Sequence, residues 1–538
     1  MPEDRSPTGR VLIHNARVYP DASGASATAI LMEGGRVRWL GQAGEALPAA
    51  DRVIDAEGHT VLPSFIDAHA HLWWMAMDRL VWQLSGPQAP RSIDELLQAL
   101  RERARECASE GEDWIVGHGL SEGRLAERRL PTRTELDAIV ADRPVVLRRA
   151  CGHAAVANTE AMRRLGYRDD SPDPPGGLLE RENGVPNGIL REAAAVPLYP
   201  LLPRPTQAQL VRSLHAVADE ALSLGVGTVV EAAVGFTAGF EAEWDVWRAV
   251  RAQGRFPLRM GFMLAIGATE AALRGLKPEA DAHWRAATLK FFSDGTLGSQ
   301  TAALHEPYCA CAQRKGLLMN APRALKQGVQ RAAEAGWQVA IHAIGDHGVD
   351  EALEALEAAT PLADGRPHRV EHLGLLADAA LQRLAATGAA VVTQPSFIGR
   401  MGDGFAAALG PERAERLYPA RSLLARGVRL VGSSDAPAGE LSPFVSMADA
   451  RERRAPSGAV MGARERLDAV EAFRCHTEHA AATLGLGERI GQLRVGADAD
   501  LIVVDTDLFK ADATALRGAR VLRHFREGDE VWRRSTSG

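Results

Sequence analysis

The chain has 538 residues, of which 46% are hydrophobic and 24% charged, an ordinary composition for a globular protein. A formal net charge of −7 with no basic block argues against a nucleic-acid-binding surface. No apolar run approaches the roughly 18 residues of a membrane span, and the N-terminal "MPEDRSPTGR" lacks the apolar stretch of a secretory signal, so the expected location is cytoplasmic.

Residues 10–63 read as short strands joined by tight turns: "RVLIHNARVYP", "AILMEGGRVRWLG" and "RVIDAEGHTVLP". Their alternating apolar positions and Gly-Gly or Glu-Gly turns favour hairpins. The far end is similar, with "ADLIVVDTD" (499–507) and "VLRHFREGDEVWR" (521–533). Two β-rich ends around a long middle suggest one small, sandwich-like β domain built from residues 1–63 and 489–538.

In the middle, residues 64–488, apolar strand-like runs alternate with helical segments, the pattern of βαβ units. Eight such strands can be counted: 61–72, 225–232, 257–264, 287–295, 337–345, 368–374, 389–396 and 428–437. Eight strands with crossover helices give a TIM (β/α)8 barrel. The stretch at about 73–222 is too long for one helix and reads as an insertion after strand one, lying over the barrel mouth. It contains the strand-like "WIVGHGL" (114–120) and "PVVLRRA" (144–150). The cysteines, Cys107, Cys151, Cys309, Cys311 and Cys475, are odd in number and suggest reduced thiols rather than a disulfide framework.

Chemistry in such a barrel sits where the strands end. The polar residues there are Asp67, His69 and His71 on strand one, Lys290 and Asp294 on strand four, and His342 and Asp346 on strand five. Strand six adds Glu371 and His372, and strand eight Asp435. His69 and His71, two apart on a strand, share a face and suit one ion. Each residue also has a structural reading: a hydrogen-bonded core histidine, a turn cap at Asp435, a helix N-cap at Asp346. Four histidines, a carboxylate and a lysine at one end of the strands favour a metal site, since imidazole and carboxylate are zinc-type ligands.

Lys290 stands out for another reason. It interrupts the apolar strand "ATLKFFSDG", and only five of the 62 basic residues are lysines. Arginine stays protonated, whereas a lysine amine can lose its proton and act as a nucleophile.

The motifs "FIDAHAHL", "LKFFSDGTLGSQTAALHEPY", "IHAIGDHGVDEAL", "RVEHLG", "SSDAP" and "RIGQLRVGADADLIVVD" resemble the amidohydrolase superfamily. In detail they are similar to its YtcJ-like group, which includes N-substituted formamide deformylases. The resemblance runs nearly end to end; Ser64 in "PSFID" stands where the family usually has glycine. It implies that His69, His71 and Asp435 bind one metal ion and that His342 and His372 bind a second. Lys290 matches the lysine that reacts with CO2, giving a carbamate that bridges two ions, expected to be Zn2+. His153, in "CGHAAVANTEAM", is implied as a substrate contact.

The implied function is metal-dependent hydrolysis of a C–N amide-type bond in a small molecule such as an N-formyl or N-acyl amine. A hydroxide held between the ions would attack the carbonyl, and Asp435 would carry its proton to the leaving amine. The alternatives are a mononuclear hydrolase or deaminase on the same barrel, with Lys290 unmodified, and a metal-free binding protein. A homodimer is implied by resemblance alone. Trp73 and Trp74 either line an apolar pocket or pack beneath the insertion.

Overall fold

The computed structural model describes residues 9–24, 26–85, 89–110, 113–149, 154–174, 177–192, 194–198, 205–254, 256–309 and 313–535. Two compact units emerge, residues 74–213 and the remainder of the chain.

The larger unit is organised around eight parallel strands: β1 (Phe65–Ala70), β2 (Val226–Val234), β3 (Arg259–Leu264), β4 (Trp284–Phe292), β5 (Gln338–Ala343), β6 (Arg369–His372), β7 (Ala390–Thr393) and β8 (Leu430–Gly432). They pair in chain order, matching the eight runs read from the sequence. Every residue of β2, β3 and β5 is buried, as expected of parallel strands covered on both faces. The first and last strands are joined just beyond their ladders, where Asp435 N–H donates to His69 O at 2.7 Å and His71 N–H to Ala436 O at 2.8 Å. The result is a TIM-type barrel.

Crossover helices cover the strands. α1 (Phe240–Ala252) follows β2, α2 (Pro322–Glu334) follows β4, α3 (Asp346–Glu357) follows β5 and α4 (Asp378–Thr387) follows β6. Their apolar stripes face inward; in α2 the buried residues are Leu325, Val329, Ala332 and Ala333, the spacing of one helix face.

Both chain ends contribute to β structure beside this barrel. One sheet has the order Arg36–Gly41, Ala29–Glu33, Val11–His14, Arg52–Asp55. Another runs Arg17–Val18, Thr60–Pro63, Leu501–Val504, Val521–Arg526, Asp529–Arg533, so strands from opposite ends of the chain are neighbours. Gly34–Gly35 and Glu527–Gly528 both take positive φ and make the expected hairpin turns. Glu57–Gly58 has the same conformation but links strands of different sheets, a correction to the hairpin expected there. Ser64, the departure from glycine, is buried and hydrogen-bonds His524 Nε2 at 2.8 Å.

The motif "GADADL" owes its two aspartates to a buried arginine. Arg259, at the start of β3, reaches Asp498 and Asp500 at 3.0 Å each. Asp498 also meets Arg489 at 2.8 Å and Arg36 at 2.5 Å.

The unit formed by residues 74–213 has a six-stranded sheet in the order Gly177–Glu182, Val185–Glu192, Ala154–Ala157, Val145–Arg149, Ile115–Leu120, Trp82–Gln83. The two strands expected within the insertion are the parallel pair Ile115–Leu120 and Val145–Arg149. His153 lies outside the described residues. Cys107 is buried, Cys475 is a buried free thiol and Cys309 an exposed one. Among the described residues no helix is long and apolar enough to cross a membrane.

The Asp498 hub yields a stability prediction. Asp498→Asn should destabilise the fold by about 3 kcal/mol, because it removes one of the two carboxylates that hold the buried Arg259, the one that Arg489 and Arg36 also meet. Urea unfolding of mutant and wild type measures this.

Candidate metal centre

Strand β1 delivers His69 and His71 to the same end of the barrel, and the turn after β8 delivers Asp435. His69 Nε2 lies 3.3 Å and His71 Nε2 3.1 Å from the same carboxylate oxygen, Asp435 Oδ1. One donor atom from each residue lies within 4.8 Å of the other two. All three residues are buried. Burial works to raise the Asp435 carboxyl, but His69 and His71 outweigh it and hold the group well below the usual carboxylate range. His69 Nδ1 faces Glu371 Oε2 at 2.6 Å. A carboxylate only accepts, so Nδ1 carries a proton, which makes Nε2, on the Asp435 side, the nitrogen available to a cation. Two imidazoles and a carboxylate aimed at one point form a donor set that fits a divalent cation.

His342 and His372, at the ends of β5 and β6, form a second group beside the first. Their ring centroids are 4.5 Å apart, and His372 is 4.9 Å from His69. His372 Nδ1 meets Gln394 Oε1 at 2.8 Å, while the Gln394 amide nitrogen donates to Ser433 at 2.9 Å. The Gln394 oxygen therefore accepts, and His372 Nε2 is left with its lone pair. His342 Nε2 donates to Gly295 O at 3.0 Å, which leaves Nδ1 as its available donor. Burial, reinforced by Lys290, pushes His342 down to about 4, and burial with His342 takes His372 well below its ordinary value. Both imidazoles are neutral, the form that ligates metal.

Lys290 belongs to the same assembly. β4 alternates as a strand should: Phe291 faces α2, where a Cβ at Gly328 would meet its ring at 3.1 Å. Lys290 and Phe292 therefore share the opposite face. The Lys290 amine lies 5.4 Å from the Phe292 ring centroid, and Phe292 pairs in register with His342. Burial lowers the amine to about 8 despite the attraction of Glu371 and Asp435. Among the described residues it makes no hydrogen bond or ion pair.

A sequence model of the amidohydrolase family matches residues 52–532. The chain belongs to the amidohydrolase family. It is 28% identical over 486 residues to the putative amidohydrolase YtcJ of Bacillus subtilis (strain 168), covering 90% of each chain. It is 30% identical over 539 residues to N-substituted formamide deformylase of Arthrobacter pascens, covering 96% of this chain and 97% of that one. A crystal structure of an uncharacterized metal-dependent hydrolase from Pyrococcus horikoshii OT3 matches with a TM-score of 0.73 at 25% identity, over 94% of this chain and 99% of that one. The resemblance drawn from the motifs holds, and the chain is a metal-dependent hydrolase by family.

Several residues of this amidohydrolase site carry no plain signal in the sequence. Arg369 holds Glu371 through two bonds of 2.8 and 2.9 Å and the Ala68 carbonyl at 2.7 Å, wholly buried. Gln394, which orients His372, is a neutral residue in an apolar strand end. Glu231 was findable, because it interrupts the apolar run of β2 as Lys290 interrupts β4. Its Oε2 accepts from Trp73 N–H at 2.9 Å, and burial raises it to about 8. Trp73 itself is buried at 4% exposure.

Other polar strand ends have structural employment. Asp67 Oδ1 accepts from His69 N–H and Ser434 N–H, tying β1 to the β8 turn. Asp294 accepts from the N–H groups of Ala303, Ile344 and Gly345 at the entry to α3. It is engaged there, and burial raises it to about 7. The N-cap position of α3 is Gly345, so Asp346 is not the cap expected there. Its carboxylate accepts from His305 N–H instead.

Glu371→Gln should weaken metal binding about 10- to 100-fold, because it removes the charge that orients His69, and should lower the melting temperature, because the buried Arg369 loses its carboxylate partner. Competition with a chromophoric chelator, alongside circular dichroism, tests this.

Proposed function

We propose that the chain hydrolyses a carbon–nitrogen amide-type bond of a small molecule, an N-formyl or N-acyl amine, with two divalent metal ions. The observation that carries the reading is the buried convergence of two imidazoles and one carboxylate beside a second imidazole pair and a depressed lysine. The name of the Arthrobacter relative, N-substituted formamide deformylase, supports the substrate class. His69, His71 and Asp435 would hold one ion, His342 and His372 the other, with Lys290 as a carbamate serving both; imidazole and carboxylate donors favour zinc. Bound ions of this kind acidify water and polarise a carbonyl.

The residues supply the remainder. A Lys290 amine lowered to about 8 has a substantial neutral fraction at mildly alkaline pH. The neutral amine adds to CO2, forming an N–C bond and releasing one proton. A buried cation thereby becomes an anion suited to two cations. Asp435, anionic at neutral pH, can accept a proton from the attacking water and deliver it to the departing amine. Loss of that amine breaks the C–N bond. Glu371 and Gln394 fix the tautomers of His69 and His372 throughout. His153 remains the proposed substrate contact, and a cytoplasmic homodimer the proposed working form.

A mononuclear reading draws on the fact that only one three-residue donor group is found among the described residues. Metal analysis separates the two: about two ions per chain with labelled CO2 retained on Lys290 supports the binuclear reading, and about one ion with a free amine overturns it. Lys290→Ala should lose metal and activity and be partly rescued by small carboxylates, whereas a fully active Lys290→Arg would contradict the carbamate. A screen of N-formyl amines, N-acyl amines and cyclic amides with zinc-loaded protein tests the substrate class. Turnover confined to cyclic amides would overturn the N-formyl or N-acyl assignment.

A further inference from the structure

Tyr418 lies in the connection between β7 and β8, outside every motif that led to the metal centre. Its backbone has φ of 48°, in the left-handed region that a bulky aromatic residue avoids. Such strain persists only where surrounding structure imposes it, and it concentrates at functional sites. Here the imposition is visible. Tyr418 N–H donates to Gly374 O at 2.7 Å, two residues beyond His372. Its carbonyl accepts from Ala420 N–H at 2.8 Å and from the Arg453 guanidinium at 3.1 Å. Arg453 is itself buried and also grips the carbonyls of Leu417 and Met461, at 2.6 and 2.8 Å.

The side chain so held is 3% exposed. Its ring packs edge-on against Phe397 at 6.2 Å, and the Phe397 ring lies parallel to the His372 imidazole at 6.5 Å and 9°. Among the described residues the phenol hydroxyl has no hydrogen-bond partner. A buried hydroxyl left without one costs about 1–3 kcal/mol. Buried and unemployed by any described protein group, the hydroxyl is left for a partner that the described residues do not supply. Tyr308, in the same apolar cluster, shows the contrast: its hydroxyl donates to Ala302 O at 2.8 Å.

Burial, and then the Asp435 charge, push the Tyr418 phenol above its ordinary value. It therefore stays protonated and presents an O–H donor. The metal centre beyond Phe397 and His372 offers imidazole lone pairs, carboxylates and the lysine. An acyl carbon turning tetrahedral develops negative charge on its oxygen, and a preorganised donor is what that charge requires.

We propose that Tyr418 is a further catalytic residue, its hydroxyl donating a hydrogen bond to the acyl oxygen of the substrate as the carbonyl becomes tetrahedral. The proposal rests on the amide-hydrolysis reading above. Tyr418→Phe keeps the ring packing and removes only the donor. With the N-formyl or N-acyl amine turned over fastest by wild type, kcat should fall about a hundredfold, with KM, zinc content and melting temperature unchanged. A merely structural tyrosine would leave kcat and phosphonamidate affinity unchanged. A second measurement does not depend on turnover: calorimetric binding of an N-alkyl phosphonamidate, a tetrahedral anion of the transition-state shape, should weaken at least about tenfold in the zinc-loaded variant. If wild type cleaves no amide, the hydrolysis reading fails by itself, and the phosphonamidate comparison still decides Tyr418. Phosphonamidate affinity within twofold of wild type, or a loss of kcat that tracks lost zinc, would overturn the proposal.

Discussion

The hydrogen bond from Asp435 N–H to the carbonyl of His69 is the seam on which the site depends. It joins the last strand of the barrel to the first, and the same two residues then face each other through their side chains. Asp67 reinforces the seam by accepting from the N–H groups of both His69 and Ser434. Two segments from nearly opposite ends of the barrel sequence are thus locked in register before any side chain coordinates anything. The cost is local strain: Asp435 has φ of 54°, and His372 and Leu373 have 71° and 51°. Non-glycine residues take this conformation only where the surroundings over-determine it. A seam built from backbone hydrogen bonds and a buried carboxylate provides that determination.

The same interior must also hold ionised groups out of water. Glu371 would be raised by burial alone, but Arg369 and His69 outweigh burial and keep its carboxylate well below the usual range. Arg369 is forked onto Glu371, so one pair of opposite charges is nearly self-contained. Removing one partner of such a pair is far more damaging than the pair is stabilising. This asymmetry accounts for a positioning network that is buried, hydrogen-bonded at short range and built around a single histidine. With His69 held from behind, its Nε2 can only point toward Asp435.

Much of this was legible in the sequence, for a physical reason. Strands buried on both faces appear as apolar runs, and their ends appear as the first polar residues after them, so His69, His71, Lys290, His342, His372 and Asp435 could be read as neighbours. What could not be read depends on partners remote in the chain. Gln394 is unremarkable until His372 is placed beside it, and Arg369 until Ala68 and Glu371 are. Asp294 and Asp346 sit at strand ends like the candidate metal-binding residues, yet are used to anchor backbone at the entry to α3. Glu57–Gly58 has the local signature of a hairpin turn, but the partner of the following strand is Leu501–Val504 from the other end of the chain. A turn fixes the local path of the backbone, whereas pairing is decided by which edge is available.

The contrast between lysine and arginine bears on the chemistry more than the composition first suggests. Among the described residues the wholly buried permanent cations are arginines, each forked onto acceptors. Arg259 grips Asp498 and Asp500, Arg369 grips Glu371 and Ala68 O, and Arg453 grips three carbonyls. Lys290 is buried to the same degree but has no hydrogen bond or ion pair among the described residues, only an aromatic ring within reach. Burial drives it toward neutrality even though two carboxylates attract it. A structural cation would be expected to have acquired its acceptors, as the arginines have. An amine held without them, beside five metal-type donors, suits the carbamate proposed above, since capture of CO2 would convert its unfavourable burial into an anion its neighbours could use.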